Sequence, residues 1–376
     1  MINHPNTWSR SSALASRGSF ILDLRRLALA GLPRMWRPEG DFYAFRVRRC
    51  GAEAVREGVS RRYTAITAIG LASEAEADCA TALGPVTLRG LTDRLVQDVA
   101  GVTNLGDVAL TVWASAATGH GDVEAAADRL RRLQPESGAH PTVEVAWALA
   151  ALCVASTPAD AEVRGRLASR LVDSLGPSGV FPHRLGDGGG LRSHVSCFAD
   201  MVYPIQALAL YHRLVGDRRA LQAAERAADL ICRHQGPAGQ WWWHYDCRTG
   251  SVLEGYPVYA VHQDAMAPMA LFALAEASGR DVGEPVARGL AWLEASPELG
   301  GGSLVDRGAG LIWRKVARRE PGKLSRGLQA AASRLHPRLR VPLAGVLFPP
   351  GAIDYEDRPY HLGWLLHAFP APGAAS

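Results

Sequence analysis

The chain has 376 residues, 48% of them apolar and 21% charged, proportions that are ordinary for a soluble globular protein. No stretch approaches the roughly 18 uninterrupted apolar residues of a membrane span, and the length admits one large core or two ordinary domains. The net charge of +4 is carried almost wholly by arginine, since Lys315 and Lys323 are the only lysines; no nucleic-acid motif accompanies it, so nucleic acid is not an expected partner.

Residues 1–59 read as a basic N-terminal extension packed on the outside of the helical body that begins at Ser60. Within it, "FILDLRRLALAGL" would pass for a signal-peptide core but for Asp23, Arg25 and Arg26, and no small-residue cleavage site comes after it; a cytoplasmic location is expected. The six cysteines form no CxxC pair and no regular spacing, so neither a zinc site nor a disulfide framework is indicated.

From Ser60 onward two kinds of helix alternate. A largely apolar one begins near Ser60 ("SRRYTAITAIGLA"), and the charged-faced "TLRGLTDRLVQDVAG" comes next. Apolar helices return near Thr103, His140, His194, Glu254 and Arg358, separated by "DVEAAADRLRRLQ", "AEVRGRLASRLVDSL", "RALQAAERAADLICRH" and "EPVARGLAWLEA". In the fourth charged-faced segment Leu221, Ala224, Ala228 and Ile231 recur at helical spacing while Arg218, Glu225 and Arg226 take the other side. Helices striped in this way face solvent on one side, and six apolar partners covered on most sides form an inner ring. The expected fold is all-α, an (α/α)6 toroid spanning residues 60–376; a helix-pair solenoid is the nearest competitor. Residues 300–357 depart from the repeat as an irregular basic insertion before the last inner helix. Its 313–340 stretch is compatible with peripheral contact to an anionic membrane or a polyanion, against the plainer reading of a solvated helix face.

"RAADLICRHQGPAGQW" carries Gln235, Gly239 and Trp241 in a Gln-x(3)-Gly-x-Trp turn. That turn resembles the outer-helix ends of squalene-cyclase and prenyltransferase-type toroids. "LVDSLGPSGVFPHRL" and "WLEASPELGGGSLV" repeat it more weakly, and similar hairpin ends occur in six-hairpin glycosidases and in toroidal epimerases and lyases. The resemblance implies the toroid; no catalytic signature of one family runs along it, and a fold does not supply a function.

In a toroid the six inner-helix starts surround one mouth. The polar groups placed there are Arg61 and Arg62; Asp107; Glu144; His194 and Asp200; Tyr256, Tyr259, His262 and Asp264; Glu356, Asp357, Tyr360 and His361. Carboxylates, histidines and aromatic faces suit a glycan substrate, and two acids can divide proton donation from water activation across a glycosidic bond. The expected catalytic residues are Asp264 with Asp200 or Glu356, assisted by His262, with Trp241 and Trp243 among the sugar-contacting walls. A uronate lyase or epimerase is the alternative, using His262 or Tyr256 as base and Arg61 or Arg62 against the carboxylate. His194, His262 and His361 stand on separate helices without ligand spacing, so no metal and no cofactor is expected. A terpene cyclase would need an Asp-x-Asp-Asp or Asp-Asp-x-x-Asp run, which is absent; a non-catalytic glycan- or peptide-binding scaffold stays open.

Overall fold

The computed structural model describes residues 8, 11–51, 53–186, 190–320, 324–336, 339 and 347–371. Of the Pro-rich run expected before the last helix, residues 337–338 and 340–346 lie outside the described residues. Twelve helices carry the architecture: α1 Gly18–Gly31, α2 Arg61–Leu71, α3 Leu88–Gln97, α4 Leu105–Thr118, α5 Val123–Arg132, α6 Thr142–Ala155, α7 Ala161–Ser174, α8 Phe198–Val215, α9 Arg218–Arg233, α10 Ala267–Ser278, α11 Gly283–Glu294 and α12 Pro359–Ala368. The even-numbered helices pack side by side in a closed ring, α12 returning to α2, and the odd-numbered ones lie outside them. This is the (α/α)6 toroid expected from the alternation of apolar and striped segments.

Burial matches the sequence pattern. Every residue of α6 from Glu144 to Cys153 is buried, whereas α9 buries mainly its alanine stripe with Leu230 and Ile231. Start and stop signals are local. Ser60, Thr87, Asn104, Asp122 and Asp217 accept first-turn amides of α2, α3, α4, α5 and α9, and Gly119, Gly216 and Gly279, all at positive φ, end α4, α8 and α10. The approach to α10 is a π turn over His262–Met266, where the Ala267 amide bonds the His262 carbonyl and Pro268 has no amide to restore the ordinary register.

The first outer helix, α1, lies against the last inner helix, α12. Arg25 of α1 is buried and bonds both carboxylate oxygens of Glu74, just beyond α2, and the Phe369 carbonyl, just beyond α12. One guanidinium thus ties the two ends of the ring. At the same seam the backbones of α2 and α12 touch: a Cβ on Gly70 would lie 2.2 Å from the Gly363 oxygen, and one on Gly363 2.7 Å from the Ile66 oxygen.

Small sheets decorate the end at which the inner helices begin. Three are three-stranded and antiparallel: Val195–Cys197 with His244–Asp246 and Val252–Glu254; Val258–Tyr259 with Lys315–Arg318 and Pro350–Asp354; and Arg46–Cys50 with Glu53–Glu57 and Glu356–Asp357. Residues before α2 and residues of the 300–357 stretch therefore both build the rim. Replacing Gly363 by alanine should cost about 1–3 kcal/mol or more, because the clash is with backbone; Gly18→Ala, which meets nothing within 4 Å, should not. Urea denaturation of the two variants checks this.

Candidate functional site

Because the inner helices run parallel, their first turns deliver polar side chains to one mouth. On one side, Arg62 of α2 donates from Nε to Asp107 Oδ1 (2.8 Å) and from Nη2 to Asn104 Oδ1 (2.7 Å) and Glu144 Oε1 (3.3 Å). Asn104 Nδ2 also donates to Glu144 (3.2 Å), and the guanidinium lies 5.2 Å from the Trp147 ring centre. Burial opposes the Arg62 charge, but Asp107 and Glu144 outweigh it and raise its pKa. The side chains of Asp107 and Glu144 stay 25% and 12% exposed, so two carboxylates from adjacent helices converge on one cation within reach of solvent.

A second polar group is built on His183, in the return segment between α7 and α8. Its backbone is fixed to the start of α6: the Thr142 amide bonds the His183 carbonyl (3.1 Å), and Arg184–Leu185 pair with His140–Pro141. Its ring Nδ1 is 2.9 Å from Asp200 Oδ2, which also accepts the Cys197 amide (2.8 Å) at the start of α8. Asp200 is wholly buried while the His183 side chain is 58% exposed. The hydrogen bond to Asp200 and that carboxylate's charge raise the His183 pKa. With Nδ1–H donated to the carboxylate, Nε2 is the atom left for proton exchange. His183, Cys197 and Asp200 also form the metal-sized group of donors found among the described residues. Burial pushes the Cys197 thiol well above its ordinary pKa, so it is a poor thiolate ligand, and Asp200 already serves an amide and an imidazole.

Across the mouth the groups are cationic and aromatic. Glu356 is gripped by Arg46 (3.0 Å), Arg314 (3.2 Å) and Arg358 (2.5 Å). Arg358 donates to the Tyr63 hydroxyl (2.8 Å) and lies over Phe45; Tyr63 in turn sits between Phe45 and Tyr360. Arg314 and Lys315 lie over the Tyr259 ring, and Lys315 pairs with Asp354 at 2.6 Å.

Beneath this wall lies a buried charge relay. His361 Nε2 is 2.7 and 3.0 Å from the two oxygens of Asp264, and Nδ1 is 3.7 Å from Asp357, which accepts the Ile312 and Arg358 amides. Burial alone would discharge His361, but the Asp264 charge and hydrogen bond and then Asp357 push its pKa up to about 10. Burial raises the Asp357 pKa. His262, packed between Phe198 and Tyr259, falls to about 3 through burial and the neighbouring His361, His244 and Arg314 charges, against a raising hydrogen bond with the Trp241 backbone; its Nδ1 has no hydrogen-bond partner.

The residues expected from the sequence therefore divide. Arg62, Asp107 and Glu144 meet; Asp264, His361, Asp357, His262 and Tyr259 meet; Glu356 and Tyr360 join the arginine wall. Arg61, expected at the mouth, turns instead to the Leu95 carbonyl and the Phe42 ring, because successive helical residues point about 100° apart. Trp241 is fully buried against Phe198 and Gly289 as a plug, while Trp243 is half-buried against Tyr259. Tyr256 donates to Glu298 (2.5 Å) away from the two acid clusters, and His194 is buried with Nε2 on Ser333 (3.0 Å). The carboxylates of Asp264, Asp200 and Glu356 are closed by their partners, so none stands free as half of an acid pair. The sequence pattern does not single out His183, Arg314 or Arg358. A signal for His183 exists: four residues after the turn glycine, Gly179 leads to His183 as Gly239 leads to Trp243, and both sit just before a short strand.

The two buried histidines shape stability in opposite directions. A group raised from 6.5 to about 10 contributes stability that is complete below 6.5 and is lost as pH rises toward 10; this is His361. His262, lowered from 6.5 to about 3, contributes stability present above 6.5 and lost as pH falls toward 3. Thermal melting against pH should thus show a maximum near neutrality. His361→Gln, which leaves Asp264 uncompensated, should lose about 3–5 kcal/mol near neutral pH and flatten the alkaline side.

No protein-family model matches the chain, and no curated protein sequence matches it. Solved structures do. An unsaturated glucuronyl hydrolase specific for heparin superposes with a TM-score of 0.62 at 14% identity, covering 93% of this chain and 96% of that one. The unsaturated glucuronyl hydrolase of Bacillus sp. GL1 gives 0.60 at 14% identity, covering 93% and 94%. Cellobiose 2-epimerase from Bacillus thermoamylovorans gives 0.63 at 11% identity, covering 94% and 99%. At such identities the likeness establishes the fold alone, an (α/α)6 toroid along nearly the whole chain.

Proposed function

We propose that this protein is a carbohydrate-active enzyme that cleaves a glycosidic bond in an acidic saccharide bound at the barrel mouth. The observations that carry this reading are the solvent-reaching His183, anchored on buried Asp200 and tied through its backbone to the start of α6, and Glu144 in the first turn of that helix, which Arg62 draws together with Asp107. In this reading His183 Nε2–H protonates the departing glycosidic oxygen as its bond to the anomeric carbon breaks. Glu144, with Asp107 as its neighbour, takes a proton from the water that attacks that carbon. Arg314, Lys315 and Arg358 favour a uronate or similarly anionic sugar, and the half-buried Trp243 and Tyr360 are the aromatic side chains left to meet the pyranoses. Asp264 and Glu356, the acids that the sequence pattern favoured for catalysis, become positioning groups here, because each is neutralised within a closed ion pair. Structural neighbours named as glucuronyl hydrolases and an epimerase support a saccharide substrate.

A second reading, proton abstraction from a uronate by a lyase or epimerase, is favoured by one pair: near neutral pH His262 is held neutral and His361 protonated on the same wall. The products separate the two. Hydrolysis creates a new reducing end, a lyase creates an unsaturated one, and an epimerase leaves chain length unchanged.

The test is a degradation screen over acidic oligosaccharides with product analysis, and then variants assayed on the substrate found. His183→Ala and Glu144→Gln should each lower kcat by about 10²–10⁴-fold at near-native melting temperature. Since the protonated His183 is the active form, activity should fall as pH rises through its raised pKa, and Asp200→Asn should move that limb to lower pH. Full activity of His183→Ala would assign the chemistry elsewhere in the ring.

A further inference from the structure

Below the first turns of the inner helices the barrel is filled. One helical turn deeper than Glu144 stands Trp147, one turn deeper than Asp200 stands Tyr203, and one turn deeper than Tyr360 stands Trp364. These three buried side chains form a floor, with ring centres 5.0 Å apart for Trp147 and Tyr203 and 6.0 Å apart for Tyr203 and Trp364. A second layer backs it. Trp113 and His367 each lie 5.5 Å from Trp364, His367 meets Trp113 edge-on at 5.6 Å, and Gln206 Nε2 is 3.3 Å from His367 Nε2. A polymer cannot thread such a stack, so the mouth is a blind pocket. Its acids are recessed as well: α6, α8 and α12 are each entered from a rim strand, His140–Pro141, Val195–Cys197 and Glu356–Asp357. Glu144 and Asp200 thus lie below the rim and about one turn, roughly 5 Å, above the floor, a depth that suits a single sugar ring.

The floor and its margin also hold hydrogen-bond donors that the protein does not use. The Tyr63 oxygen accepts Arg358, and the Trp364 indole nitrogen lies near the Tyr203 oxygen without completing a hydrogen bond. The hydroxyl protons of Tyr63, Tyr203 and Tyr360 have no acceptor among the described residues, yet the Tyr203 and Tyr360 hydroxyls are not sealed in, so they open on the pocket. Burial first, with Tyr360 next for Tyr203 and Tyr63 next for Tyr360, keeps both protons in place well past neutral pH. Tyr63 is covered on its ring faces by Phe45 and Tyr360, which leaves its hydroxyl edge as the part that can meet a ligand. Three phenols from α2, α8 and α12 therefore converge as donors, and sugar hydroxyl and carboxylate oxygens are acceptors. We infer that the pocket takes one end of the saccharide, its terminal sugar seated on Tyr203 and held by the hydroxyls of Tyr63, Tyr203 and Tyr360, so that cleavage is exo and releases one sugar at a time. This rests on the saccharide reading of the mouth and adds to it the end of the chain and the residues that hold it.

Two measurements test it. Hexasaccharides of galacturonate and of hyaluronan, labelled at the reducing end, are incubated with the full chain and the products resolved by length over time. Single sugars should appear from the first turnovers while the labelled chain shortens stepwise. Early products of intermediate length would overturn the inference and leave the proposed acid and base standing; single-sugar release that survives His183→Ala would do the reverse. Calorimetry with glucuronate and galacturonate monosaccharides needs no turnover. The wild type should bind one of them, and Tyr203→Phe should weaken that binding about tenfold at near-native melting temperature, since the lost hydroxyl completes no bond within the protein. In the cleavage assay the same variant should raise KM by a similar factor while kcat holds. No binding of either monosaccharide by the wild type, or equal binding by both Tyr203→Phe and Tyr360→Phe, would overturn the inference.

Discussion

Ring closure is the constraint on which the rest of this molecule depends. At the seam between α2 and α12 the backbones pass so closely at Gly70 and Gly363 that only hydrogen fits between them. That approach sets the height of α12 in the ring, and α12 with the residues just before it supplies Glu356, Arg358, Tyr360 and His361. A shift of one side chain's width would part Arg358 from Tyr63 and His361 from Asp264 together, because a packed ring is not continuously deformable. Arg25 clamps the same seam from outside by bonding Glu74 and Phe369, which gives the first outer helix a part in holding the last inner one.

Electrostatics then sorts the acids of the mouth by depth. A carboxylate taken out of water needs a partner, and the deepest ones have the most complete sets: Asp264 has His361, Asp357 has two amides, Glu356 has three arginines. Such groups are fixed in position and well suited to orient others. Asp107 and Glu144 share one arginine and keep contact with solvent, so a sugar hydroxyl or a water can compete for them. The same contrast separates His361 from His183. Both are anchored on a buried carboxylate, but only His183 keeps a ring nitrogen in the open.

The fold was legible in the sequence because inner and outer helices differ in pattern over whole segments, and the polar end of the barrel was legible because each inner helix begins with its polar residues. Partner choice was not. Arg61 and Arg62 look equivalent in sequence, yet one helical step turns the first outward to Leu95 and the second onto Asp107. Glu356 and Asp357 are adjacent on a strand, where neighbours point to opposite faces, so one meets arginines and the other His361. His183 is not legible as a site residue because it belongs to a return segment that reads as a turn, and its equivalence to Trp243 rests only on the shared spacing from Gly179 and Gly239.

The basic insertion illustrates a limit of a different kind. An amphipathic pattern says that a helix has an apolar and a polar side; it does not say which side meets the protein, and burial of the apolar side is the usual outcome because it is the favourable one. In Leu324–Leu335 the polar side is the one bonded, through Ser333 to His194 and Arg248 and through Arg334 to Ser193. Hydrogen bonds of this sort contribute modestly in water, far less than burying leucines would. What holds the helix is therefore its fit to His194, Arg248 and Ser193 on the rim, a partner choice that the amphipathic pattern does not contain.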